Sequence, residues 1–196
     1  MVVMAARTAT RLSARERLLE AADDLFYQQG VQTVGIDRVI EHAGVAKASL
    51  YNTFGSKEGL VCAYLEQRFD RVKNRITRTL TRFRTPREQI LGVFDALGEA
   101  FTDPGYNGCA FVRASAETAE DSSIRHAAEA YRSWVRELFT ELAAASGYAE
   151  PEELARQLHL LYDGAGQAAR MDRDPAAATT ARGAAAALLD AAPLAR

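Results

Sequence analysis

The chain has 196 residues, a formal net charge of −2 and a hydrophobic content of 48%, which are ordinary values for a globular protein. No uninterrupted apolar run is long enough to span a membrane, and residues 1–6 lack the preceding basic segment of a signal peptide. We therefore expect a cytoplasmic protein with no membrane partner. Cys62 and Cys109 lie far apart without a CxxC partner, so we expect thiols and not a disulfide or a zinc site.

The N-terminal sixty residues predict a compact three-helix head. After an arm without apolar periodicity, Ser13 and Glu16 form a capping box. This box opens a helix that ends at Gly30, in the position where a left-handed residue is favoured. A second helix is predicted over 36–43, Gly44 makes a turn, and a short third helix follows. Because the apolar faces of the three helices converge, we assign residues 1–60 to one domain.

The remaining residues predict a larger helical body over 61–196. Ser56 caps a fourth helix that is predicted to run to about residue 84, and Thr85 opens the fifth, to about residue 101, with a second capping box. Four more helices are predicted over 109–119, 123–146, 150–171 and 174–193. With 5 prolines and no sustained alternation of β-branched residues, the whole chain is predicted to be all-α, with about nine helices and no strands.

The third helix has an unusual composition for a helix of a packed core. It cannot bury all of its small and polar side chains, so it must present a hydrogen-bonding surface to water. Such a surface suits base edges in the DNA major groove, and the five side chains concerned are Lys47, Ala48, Ser49, Asn52 and Thr53. Residues 1–60 carry seven basic and seven acidic residues, but DNA contact needs only a few cations on one face. Periodicity alone leaves DNA binding and a generic helical bundle equally open.

Residues from about 15 to 65 resemble the head of the TetR family of bacterial regulators throughout. The resemblance is carried by Leu25-Phe26, Gly30, Ile36, Ala43-Gly44-Val45, Leu50-Tyr51, Phe54, Ser56-Lys57-Glu58 and Leu60. It implies that Tyr51 and Lys57 contact phosphates. The full set of expected DNA contacts is Gly35, Arg38, Lys47, Ala48, Ser49, Tyr51, Asn52, Thr53 and Lys57.

This sequence also departs from the family pattern. Gly35 stands where the family often has a capping Ser or Thr, although a helix N-terminus binds anions through its backbone amides alone. Asn52 and Thr53 occupy positions that often hold larger side chains. The operator sequence therefore cannot be borrowed from a relative.

For the body, the resemblance implies a homodimer and a small-molecule effector. The last two predicted helices carry a seam of small and apolar residues that suits a four-helix bundle between two subunits, as a palindromic operator requires. The expected interface residues are Leu158, Leu161, Ala165, Ala168, Ala184, Ala187 and Leu188.

The aromatic residues of the body predict a chamber for an apolar or aromatic effector. The expected lining residues are Phe69, Phe94, Phe101, Cys109, Phe111, Trp134, Phe139, His159 and Tyr162. The sequence favours the function of a ligand-released repressor of a double-stranded DNA operator. Two alternatives stay open: a redox or electrophile sensor that works through Cys109, and a helical interaction module without DNA binding. The three histidines form no metal-ligand spacing and no catalytic motif is present, so we expect neither an enzyme nor a cofactor or metal.

Overall fold

The computed structural model describes residues 12–195, so Arg7 and Arg11 of the expected arm lie outside the described residues. Over this range the chain forms nine α-helices and no strand, with a single isolated β-bridge between Tyr148 and Leu194. The helices are α1 (Ala14–Gln29), α2 (Ile36–Ala43), α3 (Lys47–Phe54), α4 (Lys57–Leu80), α5 (Pro86–Phe101), α6 (Ala110–Ala116), α7 (Ser123–Ala145), α8 (Pro151–Asp172) and α9 (Ala177–Ala191).

The chain divides into two compact units, and the division falls between Tyr64 and Leu65, inside α4. In the first unit, α1 packs against both α2 and α3. The core of this unit comes from buried apolar residues of the helices and of the connection between α1 and α2: Leu18, Leu19, Ala22, Leu25, Phe26, Val34, Val39, Leu50 and Leu60. Ser13 and Glu16 form the predicted capping box at the start of α1.

The second unit is a bundle in which α8 packs against α5, α7 and α9, and α6 packs on α7. Thr85 and Glu88 form the second predicted capping box. None of the helices in the described range is long and apolar enough to cross a membrane. In the same range, no group of three or more His, Cys, Asp or Glu side chains is arranged to hold a metal ion.

Several helix boundaries differ from those predicted, and the sixth helix, for example, ends at Ala116 and not near residue 119. The fourth helix ends at Leu80 and not near residue 84, because the Glu88 carboxylate accepts from the backbone amides of Arg84 and Thr85 and holds this segment as the entry to α5. The last helix runs only over Ala177–Ala191. The Asp174 carboxylate instead accepts from the amide of Ala176 two residues on, which forms a turn ahead of the helix.

Candidate DNA-binding and effector-binding sites

A tight turn joins α2 to α3. Gly44 lies in the left-handed region at φ 61° and ψ 42°, and its amide donates to the carbonyls of Glu41 and Ile40. The Arg17 guanidinium of α1 donates to the carbonyl oxygens of Ala43 and Gly44 at 3.3 and 2.9 Å. It thereby satisfies backbone acceptors that the end of a helix leaves without intrahelical partners. Sequence reasoning missed this role of Arg17, because a basic residue on the first helix gives no sign of which loop it reaches.

One side chain anchors α3 in the unit. Leu50 is fully buried, whereas Tyr51 is 44% exposed. The other expected base-reading residues of α3 are also on the surface: Lys47, Ala48, Asn52 and Thr53 are exposed, and Ser49 is half-buried. An eight-residue helix is not stable alone in water, so the packing of Leu50 fixes how this polar face is presented.

Several of the expected DNA-contacting side chains already have protein partners. The Lys47 ammonium donates to the Asp37 carboxylate at 2.9 Å, and the Arg38 guanidinium donates to the Gln29 amide oxygen at 2.6 Å. The Thr53 hydroxyl donates to the backbone carbonyl of Ser49 at 2.7 Å. The hydroxyl of Thr53 is therefore engaged, and its methyl group is the part available for apolar contact with a thymine methyl.

The helices on either side of α3, namely α2 and α4, begin in different ways. Gly35 precedes α2 and provides no side-chain cap. The Ser56 hydroxyl accepts from the Gly59 amide at the start of α4, where Lys57 is half-buried. A Cβ atom on Gly59 would lie only 2.1 Å from the carbonyl oxygen of Phe54. A side chain at this position would thus collide with the last residue of α3, which the sequence did not reveal.

This geometry is that of a helix-turn-helix. A short helix, held by one buried leucine, presents amide, ammonium and small side chains together. Tyr51 on the same helix and the backbone amides at the start of α2 are suited to phosphate contacts.

Comparison with known proteins identifies the family that shares this architecture. The family model described as bacterial regulatory proteins, tetR family, matches residues 18–64. The crystal structure of a TetR-family transcriptional regulator from Streptomyces coelicolor superposes with a TM-score of 0.85 at 32% identity, over 90% of this chain and 94% of that chain. The chain belongs to the TetR family. It is a DNA-binding transcriptional regulator and not an enzyme, and members of this family act as dimers with small-molecule effectors.

The HTH-type transcriptional repressor NemR of Escherichia coli is also similar over most of its length. It is 29% identical over 174 residues, which cover 84% of this chain and 87% of that protein. The crystal structure of its reduced form superposes with a TM-score of 0.76 at 26% identity, over 93% of this chain and 98% of that chain.

In the second unit of this TetR-family chain, most of the expected effector-binding residues meet in one aromatic cluster. Phe69 packs edge-on against Phe111, Tyr131 and Trp134, and Phe111 stacks on Tyr131 with ring centroids 3.9 Å apart. Phe139 contacts both Phe94 and Tyr162. We call this set the aromatic cluster, and its members are Phe69, Phe94, Phe111, Tyr131, Trp134, Phe139 and Tyr162.

Two further aromatic residues bear on the expected set. Phe101 contacts Tyr106 and, among the described residues, makes no ring contact with the aromatic cluster. Its place in the lining stays a prediction. Tyr131, which is not among the expected lining residues, joins the two halves of the cluster: its hydroxyl lies 3.0 Å from that of Tyr162. Burial is the main cause that raises the pKa of both phenols, so both remain protonated.

Charged residues border the cluster. The Arg132 guanidinium lies 2.7 Å from one carboxylate oxygen of Asp163, and His159 Nε2 lies 3.7 Å from the other. Burial of His159 lowers its pKa, although the Asp163 carboxylate acts in the opposite direction. Burial also raises the pKa of the Cys109 thiol, so the reactive thiolate form is disfavoured at neutral pH.

The expected interface seam on α8 is partly wrong. Leu158 and Ala165 are buried inside the subunit, because α8 turns this face toward the rest of its own bundle. An exposed stripe lies one position away. It contains Leu160, Gly164 and Met171 together with the polar Gln167, and both Leu160 and Met171 are more than 70% exposed. Of the other expected residues, Ala184 and Ala187 are exposed, and Leu161, Ala168 and Leu188 are half-buried.

Proposed function

We propose that this regulator is a repressor that binds a palindromic operator as a homodimer and that a small apolar or aromatic effector releases it. The observation that carries the proposal is the exposed hydrogen-bonding face of α3, held in place by the buried Leu50. The repressor NemR, which is similar over most of the chain, supports the direction of regulation.

Each expected DNA contact has a role in this proposal. Lys47 and Asn52 read guanine and adenine edges, and Ala48, Ser49 and Thr53 fit beside them and against thymine methyl groups. Tyr51, Lys57, Arg38 and the amide at Gly35 hold phosphates and so fix the register of the helix on the duplex.

The dimer forms through α8 and α9 in this proposal. Leu160 and Met171 of the exposed stripe supply its apolar side chains, with Gly164 and Gln167 between them and Leu161 and Ala168 at its side. From α9 come Ala184, Ala187 and Leu188, and their small size allows close helix approach. Large apolar side chains exposed along one helix face are typical of a surface that a partner covers. Two-fold symmetry then matches a palindromic site.

The aromatic cluster supports an aromatic effector, because each of its rings is buried or half-buried and its polar groups are few. The alternative of an electrophile sensor at Cys109 is not favoured, because burial holds this thiol in its protonated form. The alternative of an interaction module without DNA binding is not favoured either, since the chain belongs to a family of DNA-binding regulators.

Selection of bound sites from a library of randomised duplexes tests the proposal. We expect the purified full chain to enrich one palindromic sequence with half-sites about one helical turn apart. Tyr51→Phe, which removes only a hydroxyl, should enrich the same sequence at lower affinity, because phosphate contacts carry no sequence information. An enriched pool without a shared sequence would contradict the proposal.

A further inference from the structure

The helix α3 is bordered by two glycines with positive φ. Gly44 precedes it at φ 61°, and Gly55 follows it at φ 74°. Glycine adopts this region without steric cost, but it brings no side chain that could pack against the rest of the unit. Within α3, only Leu50 is buried. One buried side chain fixes where a short helix lies but not its tilt, so the two ends of α3 need other restraints.

The restraint at the start of α3 comes from Arg17 of α1. The Nη1 atom of Arg17 donates to the carbonyl oxygens of Ala43 and Gly44 at 3.3 and 2.9 Å. The Nε atom of Arg17 is buried, so this side chain belongs to the packed unit and is not a solvated surface cation. Hydrogen bonds from a charged donor are about twice as strong as neutral ones. Arg17 therefore ties the turn from which α3 begins to α1.

The restraint at the end of α3 comes from Arg15 of the same helix. The guanidinium carbon of Arg15 lies 5.8 Å from the centroid of the Phe54 ring, within the range of cation–π attraction, which extends to about 6 Å. Phe54 is the last residue of α3 and is half-buried. Because residues two apart on a helix do not share a face, Arg15 and Arg17 can reach opposite ends of α3.

We propose that Arg15 and Arg17 are positioning residues for sequence reading, which hold the two ends of α3 and so set the angle at which its polar face meets DNA. Neither arginine needs to touch the duplex for this role. Contacts with base edges depend on alignment, whereas phosphate contacts carry no sequence information. Loss of either arginine therefore reduces discrimination between sequences more than affinity for arbitrary DNA. The inference rests on the proposed reading of DNA by α3, to which it adds two residues.

Anisotropy titrations of the full chain with the selected operator and with a scrambled duplex test the inference. We expect Arg17→Met to lower the preference for the operator by about tenfold, which is the value of roughly one base contact. Arg15→Met should lower it by about threefold, since an exposed cation–π contact is weak. The control Lys73→Met removes an exposed cation from α4 and should keep the wild-type preference. The preference is a ratio of two affinities of one sample, so a smaller folded fraction does not change it.

Hydrogen exchange of the DNA-free chain gives a second readout. We expect the amides of α3 to exchange faster in Arg17→Met than in the wild type, while the amides in the centre of α1 exchange as before, because the loosening is local. Arg17→Lys keeps the charge and a donor on a shorter stem, so its α3 amides should exchange at an intermediate rate. Lys73→Met should match the wild type.

An operator preference that is unchanged in Arg17→Met would overturn the inference. A fall of about 0.9 in the slope of log affinity against log salt would then identify Arg17 as a phosphate contact. Unchanged exchange of the α3 amides in Arg17→Met would overturn the inference as well. If the wild type itself prefers no duplex, the proposed function fails, and the exchange measurement still decides whether Arg17 holds α3.

Discussion

Lys47 and Asp37 form an ion pair across the turn of the helix-turn-helix, with Nζ and Oδ1 2.9 Å apart. The hydrogen bond to Asp37 is the main cause that raises the pKa of the Lys47 ammonium, so Lys47 keeps its charge. Both side chains are more than half exposed, and exposed pairs contribute little to folding stability. The consequence concerns binding, because Asp37 competes with DNA for the cation at the start of α3.

Replacing Asp37 by Asn should therefore strengthen DNA binding. We expect Asp37→Asn to bind a generic duplex about fivefold more tightly at low salt, because an exposed charge pair is weak and its loss leaves the Lys47 ammonium available to DNA. The matched control is Asp24→Asn, which removes the same charge from the exposed Asp24–His42 pair of the same unit. Fluorescence anisotropy at several salt concentrations measures both. An equal gain in the two variants would mean that net charge, and not release of Lys47, is responsible.

Gly59 sets the junction between α3 and α4. We expect Gly59→Ala to lower the free energy of unfolding by about 1–3 kcal/mol, the usual cost of forcing an extra methyl group into a packed site. The reason is the 2.1 Å approach to the Phe54 carbonyl oxygen. Gly35→Ala is the control, because a Cβ there meets no atom within 4 Å. Thermal unfolding followed by circular dichroism compares the two, and an unchanged midpoint for Gly59→Ala would refute the proposed collision.

The proposed dimer surface has a direct test in Leu160. We expect Leu160→Glu to give a monomer with unchanged helix content, because a buried carboxylate at an apolar interface has no partner. Ala130→Glu places a carboxylate at an exposed position of α7 and should remain a dimer. Sedimentation equilibrium distinguishes these outcomes. A dimeric Leu160→Glu chain would show that another surface holds the subunits together.

His159 should make the stability of the chain depend on pH. Burial lowers its pKa in the folded chain below the ordinary value of 6.5, with Arg132 and Arg136 adding to this effect and Asp163 opposing it. Below pH 6.5 the unfolded chain therefore binds a proton that the folded chain does not. The contribution of His159 to the free energy of unfolding is highest above pH 6.5. It falls as the pH decreases toward the lowered pKa, by up to about 1.4 kcal/mol per pH unit.

Urea unfolding between pH 7.5 and 5.5 measures this dependence, since carboxylates with ordinary pKa values remain largely ionised over that range. His159→Gln should flatten the decline, whatever its effect at pH 7.5. His126→Gln changes an exposed histidine and should leave the decline as in the wild type. If the decline persists without His159, another group is responsible for it.

Local signals in the sequence were sufficient for much of the fold. The two capping boxes at Ser13 and Thr85 need only residues three apart, and both are present. The turn at Gly44 likewise depends on one residue that tolerates a left-handed conformation. Such features are encoded within a few residues of chain, so a single sequence reveals them.

Contacts between distant segments could not be read in the same way. Periodicity shows that α8 has apolar residues on more than one face, but not which face its own bundle covers. It therefore predicts interface positions for Leu158 and Ala165, which lie in the core. The pairing of Tyr131 with Tyr162 and of Arg132 with Asp163 joins α7 to α8 across 31 residues of chain. No local pattern marks such pairs.

The measurement that tests the central claim most directly compares Asn52→Ala with Asn74→Ala in anisotropy titrations of the selected operator and of a scrambled duplex. Both substitutions remove an exposed asparagine, one from α3 and one from α4. We expect the wild type and Asn74→Ala to prefer the operator by about 10³-fold or more. Asn52→Ala should lose about 1–3 kcal/mol of that preference, as the loss of one base contact requires. Identical discrimination by all three proteins would contradict the claim that α3 reads the DNA sequence.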